Sequence, residues 1–260
     1  VTDPTRPTAP ALARLYDLDL LEDPGDLDLY LALAARAGGA ILELGVGTGR
    51  LALPLAAAGW PVTGVDRDPA MIARARERIS TADPDVAARV RLIDGDAESL
   101  HLAERFGLAI IALNTLLVFG SRTAQAAAIR TLAEHLEPGG LAVVDVWLPD
   151  VDDLARYDGR LILEYARTDP ETGRSVVKTG AATHHPASGT IELTTIYDEG
   201  DPGGSPVRWL RTDRLRLVGA DELRAFAEAA GLTIELIAGG YDLEPIGPDS
   251  DRAILVATRR

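Results

Sequence analysis

The chain contains no cysteine, one lysine (Lys178) and one methionine, and aromatic residues make up only 5% of its 260 positions. Without cysteine there are no disulfides, no thiolate metal site and no thiol nucleophile. No apolar run approaches the roughly 20 residues that a membrane-spanning helix requires. The opening VTDPTRPTAP is rich in proline and threonine and has no apolar core, so it reads as a flexible leader, not a secretion signal. Positive charge is also short: 26 Lys and Arg against 40 Asp and Glu leave a formal charge of −14. A phosphate backbone is repelled by such a chain, which disfavours nucleic acid as a partner. Together these absences point to a cytoplasmic protein whose partner is a small molecule.

What is abundant is apolar surface, at 47% of residues, enough for a full core. From residue 28 to 147 short buried runs alternate with amphipathic ones. A helix over 28–37 stops at Gly38-Gly39, and AILEL (40–44) is a strand. GRLALPLAAAG (49–59) is a helix, PVTGVD (61–66) a strand and PAMIARARERI (69–79) a helix opened by proline. VRLIDGD (90–96) and LAIIALN (108–114) are strands, TAQAAAIRTLAEHL (123–136) is a helix, and EPGGLAVVDVW (137–147) is a turn leading into a fifth strand. Such alternation with short connections gives right-handed βαβ units and a parallel sheet covered by helices on both faces. Between about 155 and 218 the text changes to β-branched and aromatic runs separated by Asp-Pro, Thr-Gly, Ser-Gly and Asp-Pro-Gly-Gly turns, the pattern of antiparallel hairpins. Helix ADELRAFAEAAG (220–231) and two more strands return to the α/β rhythm.

Gly45, Gly47 and Gly49 follow the first strand and lead into its helix. In an open parallel sheet, ligands sit beyond the carboxyl ends of the strands. Residues without a Cβ let a ligand touch the main chain there, and a helix start offers unpaired N–H groups to an anion such as a carboxylate. Asp66 ends the next strand, 17 positions after Gly49, where a carboxylate accepts hydrogen bonds from ribose hydroxyls. The spacing is E-x-G-x-G-x-G, not the G-x-G-x-x-G of a dinucleotide site, and no phosphate-cradling G-x-x-x-x-G-K-[ST] occurs.

With these pieces in order, the chain resembles the class I S-adenosylmethionine-dependent methyltransferases. LELGVGTG is similar to their glycine loop, VDRDPAMIARAR to their second-strand segment, DGDAESL to the third, and LEPGGLAVVDV to the turn before the fifth strand. The resemblance implies a Rossmann-like, doubly wound, mostly parallel seven-stranded α/β sheet carrying a small antiparallel β insertion. It implies S-adenosyl-L-methionine as cofactor, with the glycine loop under its methionine part. Asp66 would bind the ribose, Met71 pack on the adenine, Asp96 accept from the adenine amino group and the Ala97 N–H face a ring nitrogen. Asn114 would lie near the transferring methyl. Val46 and Arg67, flanking these positions, complete the expected cofactor set. Glu43 admits two readings, a bond to the loop's own backbone or one to the cofactor's ammonium. Of Asp94 and Asp96, one is a turn former, and Asp96 is favoured as the ligand because it precedes the AES step.

The implied organisation is a leader and lid helix over 1–30, a cofactor core over 31–150, the insertion over 151–218 and the end of the core over 219–260. Tyr16, on the leading helix, either lays an aromatic face beside the sulfonium or simply ends an amphipathic helix. Arg14 is placed to meet the cofactor's carboxylate. The insertion, with Tyr197, Trp209 and Arg211, is either a cap over the acceptor or a homodimer surface, and Tyr241 is placed near the cleft rim. No base announces itself. His135 reads as the end of a surface helix. His101 lies in a loop, and His184 and His185 are adjacent strand residues of which only one can face a site. The expected reaction is methyl transfer to a nitrogen or oxygen of a small molecule, without a metal. A cofactor-binding sensor without turnover is the main alternative, and a nicotinamide-dependent oxidoreductase a weaker one.

Overall fold

The computed structural model describes residues 9–201 and 203–260. Its centre is a seven-stranded sheet built from β1 (Ile41–Leu44), β2 (Val62–Asp66), β3 (Val90–Asp94), β4 (Phe106–Ile111), β5 (Leu136–Trp147), β10 (Leu232–Ala238) and β11 (Arg252–Arg259). The order is β10-β11-β5-β4-β1-β2-β3, with β11 antiparallel to both neighbours and the other pairings parallel. β1 therefore runs between β4 and β2, and its carboxyl end opens at the point where the chain order reverses.

Period-2 alternation divides the buried strands between two cores. Leu42 and Leu44 face one core with α7 (Arg122–Glu134) and α9 (Ala220–Ala229). Ile41 faces the other with α2 (Leu27–Ala37), α3 (Ala52–Ala57) and α4 (Pro69–Ser80). Glu43 shares the parity of Ile41, which sets a carboxylate among apolar side chains at 4% exposure. The end of α2 lies tight on the sheet: a Cβ on Gly107 would stand 2.0 Å from the Gly38 carbonyl oxygen.

The insertion is a separate four-stranded antiparallel sheet, β6 (Asp158–Thr168), β7 (Ser175–His185), β8 (Thr190–Gly200) and β9 (Val207–Arg216), in sequential order. The hairpin reading of the sequence holds strand for strand. Three short helices were not expected: α5 (Pro84–Ala87), α6 (Thr115–Val118) and α8 (Val151–Arg156). Helix α1 (Pro10–Asp19) bridges the two sheets. Leu12, Leu15 and Leu18 pack on Val176 and Tyr197 of the antiparallel sheet, and Ala13 packs on Ala70 and Met71 of α4. Among the described residues, no helix is long and apolar enough to cross a membrane.

Candidate active site

The three loop glycines all take left-handed backbone conformations, with φ of 78°, 54° and 82° at Gly45, Gly47 and Gly49. Their reasons differ. A Cβ on Gly45 would stand 2.2 Å from Cγ2 of Thr115, so this glycine makes room for the first turn of α6. A Cβ on Gly47 would meet nothing within 4 Å, so this glycine faces open space beyond the strand ends. One part of the motif is thus internal packing, and another leaves bare backbone exposed to a ligand. Val46 is buried at 3% and lies over Gly64 of β2, so its side chain belongs to the core.

Asp66 sits at the tip of β2, one oxygen accepting from the Gly47 N–H at 2.8 Å and the other from the Asp68 N–H at 2.9 Å. Burial raises its pKa, against those two N–H bonds that favour the charged form. Asp68 caps α4 through the Ala70 N–H, and Met71 follows in the same turn, 7% exposed beside Ala13 and Tyr16. Asp96 accepts from the Glu98 N–H at 2.9 Å and so shapes the turn after β3; Asp94 ends that strand exposed to solvent. Arg67 is 46% exposed, 3.9 Å from Glu98.

Tyr16 hangs from α1 between the two sheets, in the electrostatic reach of Arg50 and Asp66 on one side and of Arg211 and Asp19 on the other. Burial raises its phenol pKa, with Arg50 and Arg211 opposing. Arg14, on the same helix, does not reach the glycine loop. It pairs with Asp169 and with Glu199 at 2.7 Å, which makes it an anchor of α1 to the antiparallel sheet. A guanidinium does stand at the loop: Arg50 makes a bidentate pair with fully buried Asp26, both contacts at 2.6 Å. Neighbouring Glu43 has an Oε2 without a hydrogen-bond partner, and burial pushes its pKa up to about 8.

Asn114 lies beyond the end of β4, at the start of α6. Leu113 and Asn114 are both left-handed, with φ of 43° and 67°. The Trp147 N–H donates to Asn114 Oδ1 at 2.6 Å, and the Asn114 N–H donates to the Asp145 carbonyl at 3.3 Å. With its amide oxygen held by that N–H, the NH₂ of Asn114 faces the other way.

The histidines fall differently from expectation. His135 is not a surface residue: it is 1% exposed, and its Nε2 accepts from the Leu102 N–H at 2.9 Å. His101 lies edge-on to it, beside the amino-terminal ends of β4 and β5 and away from the glycine loop. His185 is exposed at a hairpin turn. His184 shares a sheet face with Gly180 and Ala182, and its N–H donates to the Tyr157 carbonyl. Sequence reasoning missed Arg50, Asp26, Thr115 and Asp145. Only Arg50 carried a local signal, a lone cation directly after the last loop glycine.

The cradle fits an adenosyl amino acid: the unpartnered Glu43 Oε2 can accept from an ammonium, and Asp66 keeps lone pairs for hydroxyl groups, while Arg50 is already paired with Asp26. Comparison with known proteins agrees. Residues 41–140 match the family model described as a methyltransferase domain. A cypemycin N-terminal methyltransferase from Streptomyces sp. is 25% identical over 233 residues, covering 86% of this chain and 84% of the relative. A dTDP-3-amino-3,4,6-trideoxy-alpha-D-glucopyranose N,N-dimethyltransferase from Streptomyces venezuelae is 24% identical over 243 residues, covering 88% and 92%. The solved CcbJ methyltransferase of Streptomyces caelestis superposes with a TM-score of 0.76 at 27% identity, covering 92% of this chain and 97% of that one.

Proposed function

We propose, from the premise that this chain is an S-adenosylmethionine-dependent methyltransferase of small molecules, that the atom it methylates is an amine nitrogen. The observation that carries this reading is the likeness, over most of the chain, to the two curated methyltransferases just named. A hydroxyl arrives protonated and needs a base, whereas an amine that has shed its proton attacks directly. Of the two curated relatives named above, one is named an N-terminal methyltransferase and the other an N,N-dimethyltransferase of an amino sugar. The chain's −14 charge also favours a cationic acceptor. We place the reaction in the cytoplasm.

The cofactor supplies an electrophilic methyl on a sulfonium. The protein's part is binding, alignment and the exclusion of water. Open backbone at Gly47 would lie beneath the methionine chain, with Glu43 toward its ammonium. Asp66 uses its remaining lone pairs for the ribose hydroxyls. Met71, Asp96 and the Ala97 N–H hold the adenine, and Arg67 edges it; the Val46 N–H and carbonyl are bonded to Val65 and Gly49 and shape the loop. Tyr16 closes the pocket from residues 1–30, and Asn114 turns its NH₂ toward the reacting centre. Residues 31–150 and 219–260 form the core that binds the cofactor, and 151–218 the cap. Incubation with the cofactor and a panel of primary amines, amino sugars and phenols, read by mass spectrometry, tests the assignment. Methylated amine is expected; product from phenols alone overturns it.

The cap's outer face is the homodimer surface in this reading. Leu163, Thr179, Ile196 and Leu210 lie in one lateral row across all four strands, Leu163 at 62% and Leu210 at 54% exposure. The neighbouring charges Asp198 and Arg208 neutralise each other at 2.7 Å. Four strands of this length present a face of roughly 700 Å², close to the roughly 800 Å² per partner of a standard stable interface. Light scattering should give a dimer for the native chain and a monomer for Leu163→Asp; a native monomer refutes this surface.

A further inference from the structure

The Tyr241–Asp145–Arg252 cluster lies within electrostatic reach of Asp26, the partner of Arg50. Asp145 is wholly buried near the end of β5, within the apolar run 141–147. Its Oδ2 accepts from the Tyr241 hydroxyl at 3.1 Å and its Oδ1 from Arg252 at 2.9 Å. Arg252 also donates to the Tyr241 hydroxyl and stacks 4.2 Å from the centre of its ring. Three distant segments, β5, the β10–β11 connection and the start of β11, are thus fastened at one carboxylate. A buried charge is costly unless paired, and a hydrophobic residue would bind β5 into the sheet equally well. The same residue's carbonyl accepts the Asn114 N–H, and two residues on the Trp147 N–H takes the Asn114 amide oxygen. The left-handed pair Leu113–Asn114 is therefore held from β5 at the two positions flanking Val146, while the Asn114 carbonyl accepts from the Leu117 N–H of α6.

We propose that Asp145, with Tyr241 and Arg252, is a positioning cluster for methyl transfer: it fixes the end of β5 and through it the orientation of Asn114. This rests on the reading that Asn114 faces the reacting centre. Tyr241 and Arg252 act through Asp145 and touch neither cofactor nor acceptor.

Asn114 is the one asparagine in the chain, so labelling with ¹⁵N-asparagine gives a single backbone signal and a single side-chain NH₂ pair. In the full chain, these signals should shift when S-adenosylmethionine is added. In Tyr241→Phe they should move even without cofactor, and the Asn114 amide should exchange roughly tenfold faster. In the same variant kcat should fall about tenfold, with KM for both substrates within about twofold of the native value. Arg252→Lys should act in the same direction. Ile254→Val, a fully buried neighbour paired with Asp145, should lower the melting temperature while leaving the Asn114 signals and kcat in place. Unmoved Asn114 signals in Tyr241→Phe overturn the proposal. So do moved signals with an unchanged kcat, or an Ile254→Val variant that behaves like Tyr241→Phe. Native Asn114 signals that ignore the cofactor instead overturn the reading of Asn114 itself.

Discussion

Replacing Gly45 and Gly47 separately by alanine separates packing from ligand contact within one loop. Both residues are left-handed, which costs a side-chain-bearing residue about 1–2 kcal/mol. Only Gly45 adds a collision, its new Cβ standing 2.2 Å from Thr115 Cγ2. Overpacking of that kind costs about 1–3 kcal/mol. Gly45→Ala should therefore lose about 3 kcal/mol, a fall of roughly 6–12 °C in Tm for a chain of this size. Gly47→Ala should lose about 1 kcal/mol, or roughly 2–4 °C. Adding Thr115→Ala to Gly45→Ala removes the colliding methyl but leaves the Thr115 Cβ, 3.2 Å from the new carbon. The pair should therefore recover about 1–2 kcal/mol as a coupling energy. Cofactor affinity should show the reverse ranking: Gly47→Ala puts a methyl into the space assigned to the ligand and should weaken binding at least about tenfold, or roughly 1.4 kcal/mol. Thermal melts with and without S-adenosylmethionine, together with calorimetric titration, supply both quantities. Equal losses of Tm in the two variants, or native cofactor affinity in Gly47→Ala, would refute the division of labour.

Three other outcomes follow from the same geometry. Burial raises the pKa of Glu43 in the folded chain to about 8 from the 4.5 of a free glutamate, so the native state holds a proton that the unfolded state has released between those values. Its contribution is present below pH 4.5 and is lost as pH climbs toward 8. Glu43→Gln should thus gain stability relative to the native chain from pH 5 to pH 8; parallel urea midpoints at the two pH values would contradict this. Asp19 accepts from Tyr165, Lys178 and Tyr197 at 2.8–2.9 Å. Asp19→Ala should cost α1 about 2–3 kcal/mol of local protection, seen as faster amide exchange in α1 while the parallel sheet stays protected. Tyr16→Phe should keep native cofactor affinity if the ring face is what binds, and Tyr16→Ala should lose it; equal affinity in both would exclude Tyr16 from the pocket.

The βαβ rhythm was readable because each buried strand is short, apolar and closed by a turn residue, and the hairpins because Asp-Pro, Ser-Gly and Pro-Gly punctuate them. Gly45, Gly47 and Asp66 were readable because strand ends set them close together in sequence and space. Asp66 and the Gly47 N–H now meet at 2.8 Å. What escaped depends on contacts far apart in the chain. Asp26 meets Arg50 from the residue that precedes α2, and Asp145 is joined to Arg252 across 107 positions. Nothing local distinguishes such carboxylates from surface ones. Arg14 was misassigned for the same reason: helix periodicity gives a residue's face but not which neighbour that face meets. His135 seemed exposed because it ends an amphipathic helix, yet the segment before β4 folds over it and donates the Leu102 N–H to its ring.

The single lysine gains a use from where it lies. Lys178 Nζ is held between Asp19 and Glu164, 2.8 Å from each, with its side chain 13% exposed beneath the end of α1. Amine-directed acylation at this side chain requires the ammonium to leave both carboxylates and shed its proton. The kinetics of that modification would then clock how often the first helix lifts from the hairpin sheet, with no dye or spin label introduced.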